Sequence, residues 1–250
     1  MKLDILLPNS LSEIPLSRYQ EFVAMKEKSN DEELIANKMI QIFCGLQLGE
    51  VAKIKLKDLN GLIKHFTEVF SEKPQLIRNF KIKNIEFGFI PNLENISFGE
   101  YVDIEHHLKD CSTYHKAMAV MFRPIKEQYK DKYSIIDYEP NEDMQELMKF
   151  APLDIAIAAS VFFYDIAKEL LNATLNYLQK EMKTMTNSMS STKESNLAKN
   201  GNGTQASINA LKEMSQGLMQ LQNLNYLNVL PISHSKKKKT KLKPESLTEK

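Results

Sequence analysis

The residues best placed for chemistry lie in the segment DIEHHLKDCSTYH, where His107, Cys111 and His115 recur at i, i+4 and i+8. On one unbroken helix they would form a stripe, with Asp103 one turn earlier, that could approach a zinc ion. The segment does not read as one helix, however. Asp110-Cys-Ser-Thr113 has the composition of a helix end followed by a new N-cap. A structural zinc site also draws on two or more closely spaced cysteines, and the chain has two in all, Cys44 and Cys111. The plain reading is a polar helix end, a buried thiol and a histidine at a helix start. No metal ligand and no cofactor are assigned. A metal- or thiol-dependent enzyme centred on His107, Cys111 and His115 stands as the minor alternative.

Other catalytic arrangements find less support. A Cys–His nucleophile pair meets in space from separate elements and needs a third group to orient the base, and no such group is identifiable for Cys111 and His115. The chain has no GxSxG and no HExxH, and Gly45-Leu-Gln-Leu-Gly49 lacks the GK[ST] ending of a phosphate loop. The acidic runs Asp31-Glu32-Glu33 and Glu142-Asp143 stand where helices should start, and the helix dipole favours negative charge there. No catalytic residue is assigned.

The 250 residues carry a formal net charge of +1, which hides an asymmetry. Residues 236–250 hold seven lysines and two glutamates, leaving 26 basic and 30 acidic residues in 1–235. A mildly acidic body with a basic tail is not the pattern of a protein that coats nucleic acid. The run Lys236–Lys239 with Lys241 and Lys243 would give weak, salt-sensitive contacts at most, and no aromatic residue is interleaved for stacking. Two cysteines fit reduced thiols in a cytoplasmic protein. The first residues show no sustained apolar run, so no signal peptide is expected. The most apolar stretch, Ile155–Tyr164, is short of the roughly 20 residues needed to span a bilayer.

The fold class these patterns predict is mainly α: a compact helical domain over 1–180 with one small β-hairpin near 76–90, and a C-terminal helical extension. Met1–Leu7 alternates weakly and reads as a short strand ended by Pro8. A first helix follows Pro15, with Leu16, Tyr19, Phe22 and Val23 on one face. A second, capped by Asn30 or Asp31 and closed by Gly45, turns Leu34, Ile35, Met39, Ile42 and Phe43 inward. A third spans Lys57–Lys73 before Pro74. The period then changes: Leu76–Ile82 and Ile85–Ile90 flank Lys83-Asn84, which predicts the hairpin and no further strand beyond the N-terminal one. Helices are expected over Glu100–Lys109 and Thr113–Phe122, the latter closed by Arg123-Pro124, with loop over 126–141 and a short helix capped by Asn141.

Pro152 opens the longest helix, and no proline or glycine occurs from Leu153 to Asn200. Its first half is apolar on most sides and should lie at the centre of the domain, with Phe162 a core side chain. Its second half narrows to a seam in which Leu171, Leu175, Leu178, Met182, Met185 and Met189 follow a 4-3-4-3-4 spacing. A flexible linker, 190–205, leads to a helix over about 206–224, where Leu211, Met214, Leu218 and Leu221 repeat a 3-4-3 seam, so that the extension covers 181–231. Residues 232–250 read as a disordered basic tail. The two seams form an antiparallel hairpin, or each meets another subunit. Leu171, Leu175, Leu178, Met182, Met185, Met189, Met214 and Leu218 are the candidate partner-binding residues, methionine being suited to adaptable surfaces.

Several blocks together resemble a known group. They are LSEIPLSRYQEF, ANKMIQIFCGL, IEFGFIPNLENISFGEYVDIE, HKAMAVMFRPI and MKFAPLDIAIAASVFFYDIAKELLN. Their order is similar to that in proteins of tailed phages, crAss-like and marine phages among them, labelled tail-assembly chaperones or uncharacterised virion-morphogenesis proteins. The resemblance covers roughly residues 3–175, with Phe98–Glu105, His115–Ile125 and Pro152–Tyr164 the most particular pieces. These are packing motifs, and no catalytic residue is carried over with them. The resemblance implies an interaction factor in virion assembly, chaperone-like and acting on the tail or neck, with other virion proteins as partners, in the host cytoplasm or in the virion. A structural head–tail ring component, self-associating, is the alternative it leaves open.

Overall fold

The computed structural model describes residues 5–92, 96–130 and 132–189, the side chains of 170, 171, 178 and 181–189 apart. In chain order the elements are α1 (Leu16–Lys26), α2 (Glu32–Cys44), α3 (Leu48–Val51), α4 (Leu56–Val69), β1 (Asn79–Ile82), β2 (Ile85–Phe89), α5 (Phe98–Leu108), α6 (Tyr114–Met121), β3 (Phe122–Tyr129), β4 (Lys132–Ile135), α7 (Glu142–Met148) and α8 (Leu153–Met189). The fold is mainly α with one small antiparallel sheet. Among the described residues no helix is long and apolar enough to cross a membrane.

Short polar side chains set where helices begin. Asp31 Oδ1 accepts from the amides of Glu33 and Leu34 at 3.0 and 3.2 Å and starts α2. Asn141 Oδ1 accepts from Met144 N at 3.1 Å and starts α7. Ser97 and Glu100 form a reciprocal capping box at α5. At the other end of α2, Gly45 takes φ 67°, the left-handed conformation that glycine adopts without a Cβ penalty. Leu34, expected to face inward, is 40% exposed, because it lies in the first turn of α2 on the solvent side.

The sheet corrects the expectation of a single hairpin. Its strand order is β1-β2-β3-β4, all antiparallel. The first hairpin turns at Lys83-Asn84 as expected, with Lys83 at φ 53°. Residues 126–141, expected to be loop, instead supply the outer part of β3 and all of β4, which pair up to Tyr129 and Lys132 with Lys130 at φ 55°. Arg123-Pro124 ends α6 but continues as strand: Pro124 pairs with Phe87 and Arg123 with Gly88. The pattern was masked because β3 is exposed from Lys126 to Tyr129, and because a register shift between Ile125 and Glu127 interrupts the alternation. Of the strand expected over Met1–Leu7, residues 1–4 lie outside the described residues, and 5–7 are not strand. Ile5 and Leu7 pack on the core, Leu6 is exposed, and His65 Nε2 donates to Pro8 O at 2.8 Å, so side-chain contacts hold this segment in place of a ladder.

The core has two aromatic foci. Phe43 lies 5.2 Å from Phe22, 5.5 Å from Phe66 and 5.2 Å from Phe70 by ring centroids, which joins α1, α2 and α4. Phe122 lies 5.0 Å from Phe80 and 5.1 Å from Phe89, which joins β1, β2 and β3. These tilted and edge-on contacts suit the ring quadrupole. The start of α8 runs between neighbours on all sides, with every residue from Ile155 to Ser160 buried. From Val161 onward it is one-sided. Phe163 is buried against Tyr101, while Phe162, expected in the core, is half-buried and meets Phe89 at 5.6 Å.

Three backbone bonds clasp the N-terminal segment to the start of α8. Leu16 N donates to Ala151 O, Ser17 N to Lys149 O and Leu153 N to Ile14 O, each at 2.9 Å, around an antiparallel bridge between Pro15 and Pro152. A second tie is electrostatic. Glu100 Oε1 and Arg123 Nη2 are 2.7 Å apart with their side chains nearly buried. Arg123 lies over the Tyr138 ring, and the Tyr138 hydroxyl donates to Asp103 Oδ2 at 2.6 Å.

One glycine is required by close approach. A Cβ on Gly88 would lie 2.5 Å from Tyr133 Cε2 and 3.1 Å from Ile125 Cγ1, and Tyr133 is fixed by its hydroxyl bond to Phe89 O at 2.7 Å. Gly88→Ala is expected to lower stability by about 1–3 kcal/mol through overpacking. In urea unfolding, adding Tyr133→Ala should recover part of that loss, and strictly additive costs would show that Tyr133 is not what the new methyl meets.

Candidate functional site

The chemistry-bearing segment is divided between three elements. His107 is on α5, Cys111 is in a 3-10 turn (Cys111–Thr113), and His115 is in the first turn of α6. Asp110 caps that turn, its Oδ1 accepting from Ser112 N at 2.8 Å. Thr113 Oγ1 donates to His107 O at 3.1 Å and ties the end of α5 to the turn. Among the described residues, no group of three or more His, Cys, Asp or Glu side chains comes together in a way that could hold a metal ion.

The surroundings of the thiol and the histidine oppose their reactive forms. Burial pushes the Cys111 thiol up to about 12, and the charges of Glu27 and Asp110 act in the same direction. A nucleophilic thiolate needs the opposite environment, with positive neighbours and access. Cys44 is likewise raised by burial to about 11, with Arg18 opposing. Burial, with Lys149 next, depresses His115 to about 4 although Glu146 opposes it. The ring is therefore neutral near pH 7.

What the cluster does is hold α1 against α6. Gln20, buried on α1, donates through Nε2 to Cys111 O at 2.6 Å and Ser112 O at 3.1 Å, and lies 3.1 Å from His115 Nδ1. An amide nitrogen only donates, so His115 Nδ1 accepts. The ring proton then sits on Nε2, which faces Glu146 at 3.9 Å. Nothing in the spacing of the sequence marked Gln20 for this role, nor Glu100, Arg123, Tyr138 and Asp103 for theirs. Each network joins residues distant in the chain.

The candidate interaction surface is the outer half of α8. Ser160, Tyr164 and Ala167 are buried on the side that meets the body. Among the described side chains of α8, Leu175 is the last that packs on the core, and it is half-buried. Asn176, Tyr177, Gln179 and Lys180 are exposed, Tyr177 by 63%. The helix backbone runs on to Met189, so Leu171, Leu175, Leu178, Met182, Met185 and Met189 all belong to one helix. Fourteen residues beyond Leu175 make about 21 Å of helix. Met214 and Leu218, the remaining candidates, lie outside the described residues, as do the expected linker, last helix and basic tail. Elsewhere, Leu48, Leu56, Phe98 and Phe150 are exposed one by one, which is ordinary for a protein surface.

No family model, no curated protein and no solved structure matches this chain.

The His115 environment has a pH signature. Its folded value, about 4, lies below the ordinary 6.5, so the unfolded chain takes up the proton first. Stability from this group is complete above pH 6.5 and is lost as pH falls toward 4, by at most about 1.4 kcal/mol per pH unit. Urea midpoints measured between pH 7 and 4.5 should fall less steeply in His115→Gln, whose carbonyl can still accept from Gln20. Parallel slopes in the two proteins would refute the assignment.

Proposed function

We propose that this protein is a non-enzymatic interaction factor in phage virion assembly, chaperone-like and acting on the tail or neck. The observation that carries the reading is the length of α8, which packs on the core at Leu175 and whose backbone continues to Met189 with leucine and methionine at heptad spacing. The process is inferred from the resemblance read in the sequence blocks over residues 3–175. Tail proteins before polymerisation expose apolar surface and unpaired strand edges that aggregate. A leucine and methionine stripe on an extended helix offers such surface a helix-in-groove partner, and flexible methionine side chains accommodate more than one shape. The partners in this reading are other virion proteins of the same phage, met in the host cytoplasm.

A head–tail ring component is the second reading, favoured by the same stripe if it serves symmetric self-association. Two measurements separate the readings. Co-expressed with the tail and neck proteins of its phage, the tagged protein should retain at least one of them, and Leu178→Asp with Met182→Asp should reduce that recovery at least tenfold without moving the thermal midpoint. Mass spectrometry of purified virions should find the protein absent. Its presence in a fixed ratio to the portal would replace the chaperone with the ring, and failure to retain any virion protein while also missing from particles would sink both readings.

A further inference from the structure

We infer that the outer edge of β1 takes an extended, acidic segment of another protein as an added antiparallel strand. This goes beyond the role given to α8 and does not depend on it. Among the described residues the sheet ends at β1, which pairs only with β2. The turn at Lys83-Asn84 fixes which backbone groups that pairing uses. Ile82 and Ile85 close the two-residue turn and so exchange backbone bonds, and bonding alternates from there. Phe80 bonds with Phe87, and then Arg78 O accepts from Phe89 N at 2.7 Å. The N–H and C=O of Asn79 and Lys81 therefore point away from β2, and no bond from another described residue reaches them. Asn79 adds to the deficit, since its buried Oδ1 also has no donor. The alternation carries back to Ile77, whose side chain is 45% exposed. An added strand would make four backbone bonds at Asn79 and Lys81 alone.

Charge names the occupant. Arg78, Lys81 and Lys83 are exposed along this edge, with Lys73 exposed upstream. Against them stand Glu72, and Glu86, which pairs with Lys81 at 3.4 Å. A short edge that bears lysine discourages pairing with its own kind. Two-fold pairing about Phe80 would set Arg78, Lys81 and Lys83 of both copies along one seam, and like charges across a strand pair are destabilising. The same cations attract a strand that carries carboxylates. Main-chain bonds then supply affinity and the alternate side chains supply selection. The opposite edge of the sheet is less one-sided, because exposed Asp137 and Glu139 follow β4 and its Lys132. In antiparallel register the partner carries acids opposite Lys83 and Lys81 and, four residues on, an aliphatic side chain opposite Ile77. The pattern selected is acid-x-acid-x-x-x-aliphatic in an extended segment.

The probe is the peptide Thr-Glu-Val-Glu-Val-Thr-Val-Ile-Thr, titrated into the isotope-labelled full chain and followed by nuclear magnetic resonance. Amide signals of Asn79 and Lys81 should shift, and their exchange with deuterium should slow at least tenfold. Those of Phe80 and Ile82, already bonded to β2, should change least. Lys81→Pro removes an outward N–H without touching the bonds to β2, at a place where an edge strand tolerates proline. It should weaken peptide affinity at least tenfold with the thermal midpoint little changed. Lys81→Glu keeps the backbone and should weaken the acidic peptide through charge alone, while a peptide with lysine in place of both glutamates should bind this variant more tightly than it binds the native chain. If Lys81→Pro lowers the midpoint, that exchange of preference decides. A native chain that binds the lysine peptide as tightly as the acidic one would overturn the inference. So would unchanged exchange at Asn79 and Lys81 with the acidic peptide in excess. Slowing at these two amides that rises with protein concentration alone would also overturn it, by assigning the edge to a second copy.

Discussion

The architecture depends on the clasp between Ile14–Ser17 and Lys149–Leu153. α1 begins at Leu16 after Pro15, which offers no side-chain cap, so its first amides need acceptors from elsewhere. Those acceptors are Lys149 O and Ala151 O, at the end of α7 and just after it. The amides left over at the start of one helix meet carbonyls left over at the end of another, where the helix dipoles also have opposite ends in contact. In return, Ile14 O receives Leu153 N at the start of α8. Two prolines, with no amide hydrogen to satisfy and φ already set for a helix start, face each other at the centre of this exchange. The longest helix is thus positioned by the N-terminal segment, and Leu11, Ile14, Leu16 and Leu153, all fully buried or nearly so, close the joint.

The polar groups taken into the interior serve the same end. Gln20 bridges α1 to the turn before α6, and Glu100 with Arg123 bridges α5 to β3. Both sit at joints where helix meets helix or sheet, where loss of one partner would leave the other buried without compensation. The titratable side chains that first suggested chemistry fall into this pattern. His115 is an acceptor for Gln20, and Cys111 contributes its carbonyl to that bridge while its thiol stays protonated. A stripe of ligand-type residues in sequence became three separate elements because Asp110 captured the local backbone amide before the helix could continue.

What could be read from the sequence was local and strongly patterned. Asp31, Gly45 and Asn141 marked their helix ends because a cap is decided within four residues. The Lys83-Asn84 hairpin was visible because both of its strands alternate Phe and Ile with polar residues. The second hairpin was not, since Pro124 resembled a helix stop and a bulge broke the alternation that would have revealed Ile125, Tyr133 and Ile135 as neighbours. Phe162 and Phe163 could not be ranked by hydrophobicity, only by the direction in which α8 presents them. The Arg123–Glu100 pair and the Gln20 bridge had no signal at all, because exposed and buried carboxylates look alike in a sequence. The stripe on α8 was legible as spacing, but that Leu175 packs on the core was not.

The apolar pattern of α8 changes along its length. A helix enclosed by its own domain can vary its apolar residues on every side, as α8 does from Ile155 to Ser160. A helix that leaves the domain has one face to protect, and only a regular stripe can be matched by another helix over several turns. α8 carries both patterns within one uninterrupted helix, Leu153–Met189, so the buried start held by the clasp at Pro152 and the spaced leucines and methionines belong to a single element.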